Sequence, residues 1–148
     1  MNTQVTHPGS AMNDSIPRGS CLCGAVRFTA ALPTKWVAHC HCTYCRRAHG
    51  AAFVTWAGFH EDQVVIEPGA TQPTWYESSP GAQRAFCPRC GSPMFFKSTR
   101  WLGETHVARA LIEHPLDREP SAHVFYETHV PWLEIGDDLP RKVSQAPK

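Results

Sequence analysis

The sequence predicts one mainly β domain of short antiparallel strands, with little helix and with zinc as a staple. Three observations carry this. Short β-prone runs, about nine in number, recur at close spacing between turn signals. Proline makes up 13 of the 148 residues, roughly twice its average share of about 5%, and spread prolines break helices. Seven cysteines fall in three tight groups, the pattern of metal ligands in a small domain.

The runs can be followed in order. Residues 25–29, Ala-Val-Arg-Phe-Thr, alternate, with Val26 and Phe28 on one face. Residues 35–39 are β-prone and lead into a cysteine group. Residues 44–50 permit one helical turn. Residues 53–56 and 63–67 read as strands, the second closed by Pro68-Gly69. Residues 75–77, 83–86 and 94–97 read as further strands. Residues 106–112 are the most helix-permissive segment, although their β-branched members also suit a strand. Residues 123–127 predict a strand, and residues 132–135 run into the turn Gly136-Asp137-Asp138-Leu139-Pro140. Three regions follow: a disordered arm over 1–18, a zinc-binding domain over 19–141, and a polar tail over 142–148.

Composition excludes several function classes. A net charge of +1 offers no overall attraction to nucleic acid or an anionic membrane. No run approaches the ~18 apolar residues of a membrane span. The first twenty residues are mostly polar and lack an apolar signal core, so the expected location is the cytoplasm and Asn13-Asp14-Ser15 is expected to mean nothing. An odd number of cysteines without an export signal argues against a disulfide framework and for reduced thiols.

The cysteine spacing is informative. Cys87-Pro88-Arg89-Cys90-Gly91 has the form of a zinc knuckle: proline stiffens the turn and the glycine lets backbone amides approach the sulfurs. Cys21-Leu22-Cys23-Gly24 offers a second two-sulfur arm, and the two arms together close a four-thiolate site. A redox dithiol is the competing reading of Cys87 and Cys90, but the βαβ pattern of a thioredoxin-like fold is missing. Cys40, Cys42 and Cys45 remain. Three ligands with a vacancy make a catalytic-type zinc site; a fourth ligand from His39, His41 or His49 would make it a closed structural one. Spacing alone favours neither.

The motifs Gly19-Ser20-Cys21-Leu22-Cys23-Gly24-Ala25-Val26, Cys40-His41-Cys42-Thr43-Tyr44-Cys45-Arg46 and Arg84-Ala85-Phe86-Cys87-Pro88-Arg89-Cys90-Gly91-Ser92 resemble the glutathione-dependent formaldehyde-activating enzyme family, whose domain the centromere protein V group shares. Pro131-Trp132 and Asp137-Asp138-Leu139-Pro140 extend the resemblance, which spans residues 18–141. It implies a β-tent of folded-over sheets. It implies a structural zinc on Cys21, Cys23, Cys87 and Cys90, and a second, catalytic zinc with an exchangeable position on Cys40, Cys42 and Cys45. It implies condensation of formaldehyde with glutathione, a carbon–sulfur lyase reaction when reversed.

A chain of this kind would act on a small thiol such as glutathione, and its sequence carries no signal for an oligomeric state. Three thiolates on a zinc dication leave the site at −1 and a fourth makes it −2, so nearby cations should offset the charge. Arg46 is the candidate for holding a substrate carboxylate, and Arg47 is read as a surface residue. His41 could support the ligands or move protons, or simply pack. Asp137 and Asp138 read as turn-formers, and the aromatic residues as core. The competing function is a non-catalytic binding module with two structural zinc ions. A weaker one is a thiol-redox sensor using Cys40, Cys42 and Cys45.

Overall fold

The alternation of residues 25–29 sets which way the first sheet faces. Val26 and Phe28 are both fully buried while Arg27 between them is exposed. The computed structural model describes residues 16–144. Its strands are β1 (Arg18–Ser20), β2 (Arg27–Ala30), β3 (Trp36–Cys40), β4 (Val54–His60), β5 (Val64–Ile66), β6 (Thr74–Ser79), β7 (Ala82–Phe86), β8 (Pro93–Ser98), β9 (Glu104–Ala108) and β10 (His123–Val124), with one α-helix, α1 (Thr43–His49). The strands form a three-stranded sheet, β1-β2-β5, and a seven-stranded sheet in the order β10-β3-β4-β9-β8-β7-β6. The chain is therefore mainly β, as the sequence predicts.

Register divides the large sheet into two faces. One row across it runs Ala85, Phe95, Val107, Ala57, Val37. All five are buried, and they share a core with Val26, Phe28 and Ala30 of the small sheet. Phe28 and Phe95 meet edge to face at 5.1 Å. The neighbouring row, Tyr76, Arg84, Phe96, His106, Gly58, Trp36, points the other way. There a second, smaller core gathers Cys40, Cys45, Val54, Trp56 and Ala108 under α1.

A polar knot on that second face joins the start of β3 to β9 across the intervening β4. The Glu104 carboxylate accepts hydrogen bonds from Trp36 Nε1 at 3.2 Å and His106 Nε2 at 3.0 Å, and lies 2.9 Å from Lys35 Nζ. Burial pulls its pKa upward, but Lys35, His106 and Trp36 together hold it below the ordinary carboxylate value. The group is charged when folded at a pH where it would protonate when unfolded. Its contribution is therefore complete above its unfolded pKa of about 4.3 and is lost as pH falls through the lower folded value. Glu104→Gln is expected to cost about 1.5–3 kcal/mol at pH 7 in urea unfolding and much less near pH 3.

Several expectations need correction. The large sheet is not wholly antiparallel, because β10 lies parallel to β3. The chain over 121–124 tracks β3 in the same direction, bonding through Ser121 N to Val37 O, His39 N to Ala122 O and His41 N to Val124 O. The strand expected over 123–127 stops at Val124. Phe125 is left-handed (φ 52°), and a 3-10 turn follows over Tyr126–Thr128. The Thr128 hydroxyl holds this turn by donating to the carbonyls of His41 and Phe125. Residues 106–112 divide between β9 and a 3-10 turn, Arg109–Leu111. The arm proposed over 1–18 lies outside the described residues up to 15, and Arg18 belongs to β1. Of the polar tail, 145–148 lie outside them too. Trp132, counted with the core, is 73% exposed. Among the described residues no helix is long and apolar enough to cross a membrane.

Candidate metal centres

Cys21 and Cys23 sit on the link between β1 and β2, and Cys87 and Cys90 on the link between β7 and β8. The two links meet, so that all four sulfurs lie within 4.8 Å of one another. Cys21 and Cys23 Sγ are 3.6 Å apart, and Cys23 and Cys87 Sγ 3.8 Å. A disulfide would bring them to about 2.05 Å. A tetrahedral zinc with Zn–S bonds near 2.3 Å holds its sulfurs about 3.8 Å apart. The donor set therefore fits a four-thiolate zinc. Backbone amides converge as expected of knuckles: Val26 N donates to Cys21 Sγ at 3.3 Å, and Arg89 N to Cys87 Sγ at 3.4 Å. Gly24 and Gly91 have φ of 78° and 80°, the left-handed turn that glycine adopts without penalty. The Ser92 hydroxyl, 3.1 Å from Cys90 Sγ, holds that thiol down to about 5.

The second cluster is built by the end of β3 and the start of α1. Cys42 is the N-cap of the helix, its sulfur accepting from Cys45 N at 3.3 Å. That cap gathers Cys40, Cys42 and Cys45 within 4.8 Å. Cys45 is buried and receives two further donors, Trp56 Nε1 at 3.4 Å and Arg84 Nη2 at 3.6 Å. Hydrogen bonds from Cys40 and Cys42, with the charge of Arg84, hold the Cys45 thiol far below its ordinary pKa. The contacts with Cys42 and Cys45, with burial, push Cys40 upward. Three thiols so close cannot all ionise without a cation between them, which is what a metal supplies.

Among the described residues no His, Asp or Glu joins this group. Strand alternation gives the reason. In His39-Cys40-His41-Cys42, successive side chains point to opposite sides, so the sulfurs face α1 and the imidazoles face away. His39 Nδ1 pairs with Thr55 Oγ1 at 2.7 Å across the sheet. His41 Nε2 pairs with His123 Nδ1 at 2.8 Å, and His123 Nε2 with the Asp137 carboxylate at 2.9 Å. Burial, then the charge of His123, pushes His41 down to about 4. It is thus neutral at pH 7, at the head of a hydrogen-bonded chain that runs through His123 to the Asp137 carboxylate. His39, His123 and Asp137 also bring ligand atoms within 4.8 Å. There the capacity of His123 is already used, and Asp137 is bound to Arg141 Nη1 at 3.1 Å. The trio ties residues 137–142 along His123, where backbone bonds also run from His123 N to Pro140 O and from Lys142 N to His123 O. Asp137 does form the expected turn, accepting from Leu139 N at 3.0 Å.

Comparison with known proteins decides the family. The family model for the glutathione-dependent formaldehyde-activating enzyme matches residues 16–128. The chain belongs to that family. A Halomonas elongata protein named "Putative glutathione-dependent formaldehyde-activating enzyme" is 33% identical over 126 residues, covering 79% of each chain. A Schizosaccharomyces pombe protein named as an uncharacterized lyase is 30% identical over 81 residues, 55% of this chain and 57% of its own. A crystal structure of a Rhodobacter sphaeroides protein superposes with a TM-score of 0.56 at 27% identity, over 68% of this chain and 91% of that one.

Within this family fold, the remaining candidate residues separate. His49 follows Cys45 by one helical turn but lies edge-on to Trp56 at 5.3 Å and outside the sulfur cluster. Arg46 is committed elsewhere: its Nη1 donates to Thr128 O at 2.9 Å, tying α1 to the turn over Tyr126–Thr128. Arg47 is exposed. The residue that sequence reasoning passed over is Arg84, a cation 6% exposed at an inward position of β7 and in contact with Cys45. Its signal was faint: a charge at one alternate position of the strand run 83–86.

Proposed function

We propose that the protein is a zinc-dependent carbon–sulfur lyase that forms and cleaves the adduct between a small thiol, such as glutathione, and an aldehyde such as formaldehyde. Membership of the family supports this reading, as do the names of the two relatives, one a glutathione-dependent formaldehyde-activating enzyme and the other a lyase. The observation that carries it is the cluster of Cys40, Cys42 and Cys45, three donors that no fourth side chain joins among the described residues. We assign one zinc to Cys21, Cys23, Cys87 and Cys90 and another to Cys40, Cys42 and Cys45. We also assign the two sheets meeting at Phe28 to a β-tent, and the seven reduced thiols to the cytoplasm.

Bound at the three-cysteine cluster, zinc would keep an incoming thiol ionised at neutral pH, where a free thiol is only a few per cent thiolate. The chain does the rest. α1 holds Cys42 and Cys45 at fixed spacing, and Trp56 and Arg84 offset the negative charge on Cys45. In the forward direction a sulfur–carbon bond forms, the carbonyl π bond opens, and the thiol proton ends on the new hydroxyl. The reverse step returns all three, with no change of oxidation state.

The test pairs metal analysis with the rate of adduct formation or cleavage above the spontaneous background. Cys42→Ser is expected to stay folded, because serine caps a helix well. Its metal content should fall from about two equivalents to about one, and its rate by more than the roughly 10–100-fold that loss of an outer partner costs. If Cys42→Ser keeps both ions, or if the wild type shows no thiol-dependent rate, the non-catalytic binding module replaces this reading.

A further inference from the structure

Arg84 is an unusual occupant of its position. A buried guanidinium carries five donors and ordinarily has acceptors for them. Here Nη2 meets Cys45 Sγ at 3.6 Å, the guanidinium lies over the Phe96 ring at 4.9 Å, and Nη1 is buried without any partner. Arg84 also lines a cavity of about 400 Å³ with His49 and Ala48 of α1, Tyr76 of β6, Phe95 of β8 and the knuckle glycine Gly91. The cavity thus lies between the helix that carries Cys45 and the loop that carries Cys90. Among the described residues Arg84 is the one Lys or Arg that lines it, and no carboxylate does.

Building on the proposed thiol–aldehyde chemistry, we infer that Arg84 is the substrate-binding residue of the three-cysteine centre, its guanidinium receiving a carboxylate of the thiol substrate at the wall of this cavity. The volume is far more than a one-carbon aldehyde needs and lies in the range of small-molecule pockets, about 300–1,000 Å³. It suits the body of the thiol. Apolar walls at Phe86, Pro93 and Phe95 leave Arg84 as the charged anchor. One guanidinium then serves both parts of the problem, with Nη2 on a ligand sulfur and the rest of its planar fork suited to a carboxylate. Arg46, the candidate from sequence, also has an unpartnered nitrogen, Nε, but its Nη1 is held on Thr128 O and it does not line this cavity.

The test uses the full zinc-loaded chain and calorimetric titration with two probes, glutathione and glutathione diethyl ester, which keeps the thiol and blocks both carboxylates. Wild type is expected to bind the ester at least about tenfold more weakly, a difference of about 1.4 kcal/mol. Arg84→Gln, compared at matched zinc loading, should bind both probes alike, and Arg84→Lys should regain part of the preference. Equal wild-type affinity for ester and acid overturns the inference while leaving the thiol chemistry intact, and it needs no variant to fold. A preference that survives in Arg84→Gln overturns it equally. If wild type binds neither probe, the thiol–aldehyde reading fails, and this inference fails with it.

Discussion

Cys87→Ser is expected to prevent the domain from folding. Cys87 is fully buried, receives amides from Arg89 and Cys90, and stands 3.8 Å from Cys23 across two links of the chain. Structural zinc contributes about 10–16 kcal/mol of apparent binding energy, against a net stability of only about 5–15 kcal/mol for an ordinary domain. Losing one of four thiolates removes a large part of that. The arm carrying Cys21 and Cys23 then has no partner, and β1 and β2 lose their tie to β7 and β8. Circular dichroism should show loss of the β signal, and zinc analysis of any soluble fraction should show no more than about one equivalent. A folded Cys87→Ser protein that retains two equivalents overturns the four-thiolate assignment. The contrast with Cys42→Ser, expected to lose one ion and stay folded, separates a centre that holds the domain together from one that sits upon it.

Phe28→Ala carries the second large effect. Phe28 is fully buried where the small sheet meets the large one, and its ring meets Phe95 edge to face. Truncating a core phenylalanine costs about 3–5 kcal/mol through lost burial and the cavity left behind, including about 0.5–1.5 kcal/mol for the aromatic pair. In a chain of this size that lowers the melting temperature by roughly 10 °C. Zinc-loaded protein followed by calorimetry checks it. A shift of only a degree or two would mean that the metal, and not Phe28, fastens the sheets together.

What could be read in advance was what depends on near neighbours in the chain. Cys-x-Cys and Cys-x-x-Cys spacing located both sulfur clusters, and alternation at Val26 and Phe28 identified a core face. The helical turn expected over 44–50 became α1, with Cys42 as its cap. What escaped depends on residues far apart. His39 and His41 remained candidate ligands because nothing local records that His123 and Thr55 would claim them across the sheet. The parallel pairing of β10 depends on a return from residue 121 to the edge of β3. Residues 123–127 have strand composition, yet the chain turns at Phe125. The inward orientation of Arg84 follows from register with Phe96 and Tyr76, which no single segment contains.

The two sulfur clusters differ in how much chain lies between their members. Cys42 and Cys45 are three positions apart, whereas Cys23 and Cys87 are 64 apart. Bringing the distant pair together costs on the order of 2–3 kcal/mol more in chain entropy. During synthesis the nearby set emerges complete within a few residues, before the strands that follow β4 have been made. The distant set must wait for residue 90 to appear. An ion in the first would then report only that metal was at hand, whereas an ion in the second would report that residues 21 and 90 had been brought together.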